Sequence, residues 1–337
     1  MTLPTIDTRP PNPEPGESGT FVHTGAEQRI VLPGGAGLVG QNLVARLRDQ
    51  GYHNIVVLDK HRANLEILRE VQPGIQCEYA DLAEPGDWQQ FIREADVVVM
   101  LQAQIGGNHY EDFVRNNVES TRLILDTMAQ APQMPYLVHI SSSVVESVAD
   151  DFYSRSKREQ EQLVLDRGIP CPILRPTLMF GWFDRKHLGW LSRFMQKVPV
   201  FPIPGHGRYM RQPLYAGDFC GIIISCIDHR QEHGIYNISG HEKVDYIDMI
   251  REIRSTIEAS TWVVRIPYSL FYALLWVWAK FDRNPPFTTQ QLAALTARDE
   301  FEVIDWPTLF GVPCTPFREA LQETFHHPRY SQVVLEF

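Results

Sequence analysis

Cysteine is scarce in this chain. Its five residues, Cys77, Cys171, Cys220, Cys226 and Cys314, are odd in number and form no C-x-x-C spacing. They read as reduced thiols of a cytoplasmic protein, with no metal site expected of them. Runs of Lys and Arg are also missing, and the formal charge of −10 argues against nucleic acid as a partner, since neutralising phosphates needs clustered cations. The first nineteen residues, "MTLPTIDTRPPNPEPGESG", hold five prolines and no apolar core, so they are not a secretory signal and read as part of a disordered tail over 1–28. No stretch reaches the roughly 20 apolar residues that span a bilayer. The longest apolar run is Tyr268–Ala279. No internal repeat is visible.

With 337 residues and 44% hydrophobic content, the chain can bury a substantial core and exceeds one typical domain. Between Arg29 and Pro176 short β-branched runs alternate with helical patterns: "IVL", "NIVVLD", "IQCEYAD", "DVVVMLQ", "YLVHISSS" and "CPILRP". That alternation predicts an α/β fold, a doubly wound parallel sheet of the Rossmann kind with a smaller C-terminal substrate lobe. The expected layout is a dinucleotide-binding domain over 29–180 with 213–240 returning to it, a lobe over 181–212 and 241–325, and a tail over 326–337. In such sheets ligands bind at the carboxyl ends of the strands. The glycine turn, Asp59, Asp81, Gln102 and Ser141 to Ser143 fall at those ends.

The stretch "RIVLPGGAGLVGQNLV" places four glycines within seven residues, three of them at G-x-x-G-x-x-G spacing: Gly34, Gly37 and Gly40. Leu38, Leu43 and Leu47 continue at helical spacing, so the run reads strand, tight turn, helix. Such a turn presents bare backbone N–H groups and the positive end of a helix, opening here at Leu38 and Val39, to an anion. Asp59 closes the second strand 19 residues after Gly40, where a carboxylate can accept from both ribose hydroxyls and repel a 2′-phosphate. NAD is therefore expected over NADP. Asp81 and Leu82 end the third strand, where an acid can meet an adenine amino group or simply cap a helix.

"YSRSKREQE" opens a helix after the serine run. Tyr153 and Lys157 stand at i, i+4 on one face, so the Lys157 ammonium can stabilise a Tyr153 phenolate and tune it for proton exchange. His229 and His233 also stand at i, i+4, in "DHRQEHG", which suits a metal pair or a solvated connection. In "YSLFYALLWVWAKFDR", Leu270, Phe271, Leu274, Leu275 and Trp278 form one stripe. Tyr272, Trp276 and Val277 leave the opposite side apolar as well. Burial in the lobe, a partner interface and peripheral membrane contact through 268–283 all suit that segment.

Taken together these motifs resemble the extended short-chain dehydrogenase/reductases, and within them the NAD-dependent epimerase/dehydratases of sugar nucleotides. The resemblance rests on "GGAGLVG", Asp59, "ADL", "NNVESTRLIL" with Asn117, "HISSS", "YSRSK", "GIPCPILRPTLMFG", "IPGHGRYMRQPLYAGDF" and "YNISG". It implies that Ser143 bonds the reacting hydroxyl with Ser142 beside it, that Tyr153 is the acid/base, and that Lys157 binds the nicotinamide ribose and tunes Tyr153. Arg211 would grip a substrate diphosphate, and a homodimer is implied too. Pro33 precedes the glycines, only nine residues separate Ser143 from Tyr153, and Leu178 stands where relatives carry a substrate-touching asparagine. The expected activity is NAD-dependent epimerisation or dehydrogenation of a sugar nucleotide or related glycosyl diphosphate. No Asp-Glu pair follows the serines to drive elimination. The alternatives are a non-catalytic dinucleotide-binding subunit of a larger assembly and an epimerase of a lipid-linked sugar.

Overall fold

Seven short strands, the central ones built almost wholly of apolar residues, set the architecture. A strand buried on both faces has no polar side to alternate with, which is why β4, Val97–Met100, reads Val-Val-Val-Met and is buried throughout. The protein is described by a computed structural model over residues 27–147, 151–231, 233–281, 292, 295 and 303–336. Apart from residues 27 and 28, the expected N-terminal tail lies outside these.

The first half alternates β1 (Ile30–Pro33), α1 (Leu38–Asp49), β2 (Ile55–Asp59), α2 (Arg62–Val71), β3 (Gln76–Tyr79), α3 (Trp88–Arg93) and β4. It continues with α4 (Tyr110–Phe113), a π-helical turn (Val114–Glu119), α5 (Ser120–Met128), β5 (Tyr136–Ile140), α6 (Phe152–Asp166) and β6 (Pro172–Pro176). Later come β7 (Met179–Phe180), α7 (Leu188–Met195), β8 (Val200–Pro204), β9 (Met210–Arg211), β10 (Leu214–Tyr215), α8 (Ala216–His229) and β11 (Gly234–Ile238). The last strand closes a seven-stranded parallel sheet ordered β3-β2-β1-β4-β5-β6-β11. The order reverses between β1 and β4, which opens the crevice where such sheets bind ligands.

Helices cover both faces. On one, Leu43 and Leu47 of α1, Leu68 of α2 and Ile223 of α8 pack on Leu32 and Val57. On the other, Ile92 of α3, Ile124 of α5 and Val164 of α6 pack on Val98 and Leu137. The smaller lobe has its own core of Leu188, Phe201, Ile203, Ile250 and Phe317. It comprises α7, β8, β12 (Val244–Asp245), α9 (Tyr246–Thr256), β13 (Trp262–Ile266), α10 (Tyr268–Phe281) and the helix Phe317–His326. Strand β13 runs parallel to β8.

Two expectations change. The segment 326–337, read as a tail, packs back on α2 over its described residues: Tyr330 and Leu335 are buried, and Asn64 exchanges hydrogen bonds with the Glu336 backbone at 2.8 and 3.2 Å. Of the stripe drawn on α10, only Leu275 is buried.

Candidate functional site

At the crevice the glycine turn is shaped by neighbouring backbone. Gly34 has φ +76°, and a Cβ there would lie 2.4 Å from the Gln102 backbone, so β1 and β4 approach too closely for any other residue. Gly37 differs, because a Cβ there would meet nothing nearer than 3.7 Å. The folded chain itself has room for a side chain at Gly37, so packing does not account for the glycine there. Gly37 also caps α1 without any side-chain hydrogen bond, which leaves the first-turn amides of Leu38 and Val39 uncapped.

Asp59 stands opposite. Its carboxylate accepts from the backbone N–H of Ala36, inside the turn, at 3.1 Å and from that of His61 at 2.9 Å, which aims it across the turn with acceptor capacity left for ribose hydroxyls. Burial pushes its pKa up against the pull of these amides and of His61. The nearby cation that could have welcomed a 2′-phosphate, Arg62, is stacked on the Tyr79 ring at 3.7 Å. Two buried polar atoms at the same edge have no partner among the described residues: Gln102 Oε1 after β4 and Thr177 Oγ1 after β6. Bare turn, uncapped helix, aimed carboxylate and orphaned polar atoms fit a dinucleotide.

Asp81 is differently employed. Arg115 grips it with two N–H groups at 2.8 and 3.2 Å, and it accepts from Ala83 N. The guanidinium holds its carboxyl below the usual range against burial. The carboxylate that the spacing offers to an adenine is therefore already paired, and Leu82 beside it is a buried core residue. Arg115 went unnoticed in the sequence because it lies 34 residues away.

Within the serine run Ser142 bonds the Tyr153 hydroxyl, while Ser143, expected to meet the reacting hydroxyl of a substrate, is buried at the start of a single 3-10 turn. Burial and Asp151 raise the Tyr153 pKa and Ser142 lowers it, for a net rise. Lys157 does not pair with the phenol. Its ammonium, wholly buried, donates to Ile140 O at 3.1 Å and to Gln160 Oε1. Burial brings its pKa down to about 7, with Glu161 pulling the other way. The i, i+4 spacing puts both side chains on one face of α6, but packing against β5 turns the lysine inward.

A polar layer beneath them escaped the sequence reading. Gln160, which accepts from Lys157, donates to Thr121 Oγ1 at 2.8 Å and Gln102 donates to the same oxygen at 3.0 Å, so the Thr121 hydroxyl joins Gln160 to the β4 terminus. Ser141 donates to Glu161, which Arg175 clamps. Gln160 and Glu161 follow Lys157 at i+3 and i+4, a signal present in "SKREQE". His139 of β5 is fully buried with neither ring nitrogen bonded among the described residues, and burial together with Lys157 holds its pKa well below the usual value. Arg211, expected to face substrate, donates to the carbonyls of Met210 and Leu295.

A doubly wound parallel sheet with this turn at its switch point defines a Rossmann dinucleotide-binding protein. The chain belongs to the NAD dependent epimerase/dehydratase family, whose model matches residues 30–239. The family's cofactor is NAD. Among relatives, the UDP-glucose 4-epimerase of Vibrio cholerae is 23% identical over 72% of this chain and 80% of its own length. The NADH dehydrogenase 1 alpha subcomplex subunit 9 of Dictyostelium discoideum is 25% identical over 86% of this chain and 81% of its own. The structure of UDP-glucuronic acid 4-epimerase from Bacillus cereus, solved with UDP-glucuronic acid and NAD, superposes with a TM-score of 0.65 at 20% identity, covering 88% of this chain and 97% of that one.

Proposed function

We propose that the protein is an NAD-dependent epimerase, or simple dehydrogenase, acting on a secondary alcohol of a sugar nucleotide or related glycosyl diphosphate. The observation that carries this reading is the Tyr153 hydroxyl bonded by Ser142 at the carboxyl edge of the sheet, one helical turn from Lys157, beside the glycine turn. NAD, when bound, supplies the hydride acceptor and donor. Gly34, Gly37 and the amides of Leu38 and Val39 would hold its pyrophosphate and Asp59 a ribose. Gln102 and Thr177 offer polar atoms to its other end.

Tyr153 transfers the proton. With its pKa above the ordinary value it is protonated at neutral pH, so it is a proton donor to a carbonyl oxygen and must be relieved of that proton to act as base. Ser142 orients the phenol and Ser143 lies next to it. Lys157, with a pKa of about 7, is half-neutral at neutral pH and can exchange protons in the same range. The sugar-nucleotide class draws support from the Vibrio relative. Arg211 would meet the diphosphate after releasing the carbonyls it now serves.

The relative named as a subunit of NADH dehydrogenase keeps a second reading in play, a dinucleotide-holding accessory subunit. The two are separated by incubating the purified protein with NAD and a panel of UDP- and dTDP-sugars and following stereochemistry by NMR. Turnover that falls by on the order of 10² to 10⁴ in Tyr153→Phe, with NAD binding retained, is the expected result. Full turnover in that variant overturns the catalytic assignment, and absence of turnover on every sugar favours the accessory role.

A further inference from the structure

Four buried side chains beneath the crevice form one hydrogen-bonded line. Lys157 donates to Gln160 Oε1, Gln160 Nε2 donates to Thr121 Oγ1 at 2.8 Å, and Gln102 Nε2 donates to the same oxygen at 3.0 Å. The line runs from α6 through α5 to the end of β4; Gln102 is 7% exposed and the other three less. Gln102 also carries the backbone that crowds Gly34, which sets it between Lys157 and the turn proposed for the pyrophosphate. Donors and acceptors along the line do not balance as they stand. Thr121 accepts from two amides, yet among the described residues its own O–H meets no acceptor and Gln102 Oε1 meets no donor. Buried polar groups are rarely left open in this way.

The ammonium decides how the balance is restored. It donates and cannot accept, so Gln160 must turn its oxygen toward Lys157 and its N–H toward Thr121. Thr121 then has only its O–H left to give, and a half-turn of the Gln102 amide puts an oxygen where that O–H can reach it. The two ends of an amide are nearly equal in size, so the half-turn calls for no repacking. It leaves the Gln102 N–H groups as the open end of the line. Glu161, one turn beyond Lys157, does not compete for the ammonium, since Ser141 and Arg175 occupy it. We propose that Gln102 holds the dinucleotide as an N–H donor to one of its ribose or phosphate oxygens, and that Lys157 sets this polarity from a distance through Gln160 and Thr121. Gln160 and Thr121 are then positioning residues for the cofactor: they touch none of it and fix which atom Gln102 presents. The ligand's chemistry matches, because riboses and a pyrophosphate are rich in acceptor oxygens. A donor-only cation at the far end is what makes the line directional; a group able to both donate and accept would leave Gln102 free to present either atom.

This inference rests on the dinucleotide site and not on the reaction, so its test contains no sugar. NAD affinity of the full chain is measured by calorimetry at pH 6, where Lys157 is an ammonium, with thermal melting as the check on folding. Gln102→Met should weaken binding roughly threefold to tenfold, the contribution of one hydrogen bond. Thr121→Val keeps the shape and removes the hydroxyl, and should weaken binding by a similar factor; Thr121→Ser should restore it. In the Thr121→Val background Gln102→Met should cost nothing further, because both changes act through one amide. Polarity is read by NMR on protein carrying 15N-glutamine, with the Gln102 side-chain amide identified by its loss in Gln102→Met. Its N–H groups should exchange with water at least tenfold more slowly once NAD is bound. Unchanged exchange means that Gln102 presents its oxygen, and overturns the proposal. So does parental affinity in Thr121→Val, or losses that multiply in the double variant. If Thr121→Val does not fold, the exchange measurement decides alone. A parent that binds no NAD overturns the dinucleotide site and this inference with it, whereas a parent that binds NAD with unaffected variants overturns this inference only.

Discussion

Ser142 and Ser143 differ by one position, and it is Ser142 that hydrogen-bonds the Tyr153 hydroxyl. In the structure Ser142 holds Tyr153 and also caps the 3-10 turn that begins at Ser143, accepting from Val144 N at 3.4 Å. Ser142→Ala should therefore raise the kinetic pKa assigned to Tyr153, because it removes the one contact that lowers it, and should reduce turnover roughly tenfold or more. Ser143→Ala should leave that kinetic pKa in place. A shift of the pH–rate profile in Ser143→Ala alone would reverse the two roles. Lys157 offers a test that needs no substrate. An unfolded lysine keeps its proton up to about pH 10.4, whereas folded Lys157 releases it near 7. Between these values the unfolded chain binds more protons, so Lys157's contribution to stability improves as pH rises from about 7 to about 10.4. Below 7 the ammonium is buried at full cost. Lys157→Met removes that cost, on the order of a few kcal/mol. Its melting temperature relative to the unmodified protein should be distinctly more favourable at pH 6 than at pH 9.5. Equal differences at the two pH values would show that the lysine is not desolvated.

Among the elements, the π turn between α4 and α5 shows how the scaffold aims the site. Its Asn117 is fully buried and accepts from Gln104 N at 2.6 Å while donating to Gln104 O at 3.2 Å and Ser156 Oγ at 2.9 Å. One amide thus ties the loop after β4 to the helix that carries Tyr153 and Lys157. Asn117→Ala leaves a buried N–H and a carbonyl unpaired, at about 1–3 kcal/mol each. It should lower the melting temperature by roughly 5–10 °C and reduce turnover without touching any reacting atom; unchanged melting and turnover would remove Asn117 from the scaffold.

Much of this level was legible in the chain. β1, β2 and β4 are Val- and Ile-rich and buried almost throughout, so their pattern needed no partner to be read, and the glycine turn and Asp59 follow from strand ends. β8 and β13 were not legible. They form an isolated pair, β8 contains two prolines, and β13 is exposed over much of its length, so neither has the apolar signature of a core strand. In the site, spacing placed Tyr153 and Lys157 on one helix face. It could not show that Ile140's carbonyl and Gln160 would claim the ammonium, because those contacts depend on how deep α6 sits against β5. Arg211 illustrates the same limit, since its position on β9 is local and its engagement with Leu295 is not.

For the whole molecule, the question is what fastens the chain's end to the sheet. Residues 328–336 carry no helical or strand periodicity, and by pattern alone they are a tail. The structure gives them a socket. Tyr330 lies with its ring centroid 4.7 Å from that of Trp182 and 5.5 Å from that of Phe183, stacked on His327 at 4.5 Å, and its hydroxyl accepts from Gln72 Nε2 at 2.7 Å. Leu335 joins the same core as the α1 and α2 leucines. Asn64, one turn into the helix that follows Asp59, is satisfied only by the Glu336 backbone among the described side-chain contacts. Ending the chain at His327 would expose Trp182 and Phe183, strand the Asn64 side chain and leave Gln72 Nε2 without the Tyr330 hydroxyl. Burying a Tyr and a Leu contributes about 1.5–3 kcal/mol each, and each stranded polar group adds roughly 1 kcal/mol or more. At roughly 2–4 °C per kcal/mol, the truncated protein should melt about 10 °C or more below the full chain. Because α2 begins beside Asp59, NAD binding should weaken along with it. Saturating NAD should then recover part of the lost melting temperature, since a ligand held only by the folded state stabilises it. A truncated protein with the parent's melting temperature and the parent's affinity for NAD would mean that the socket holds nothing.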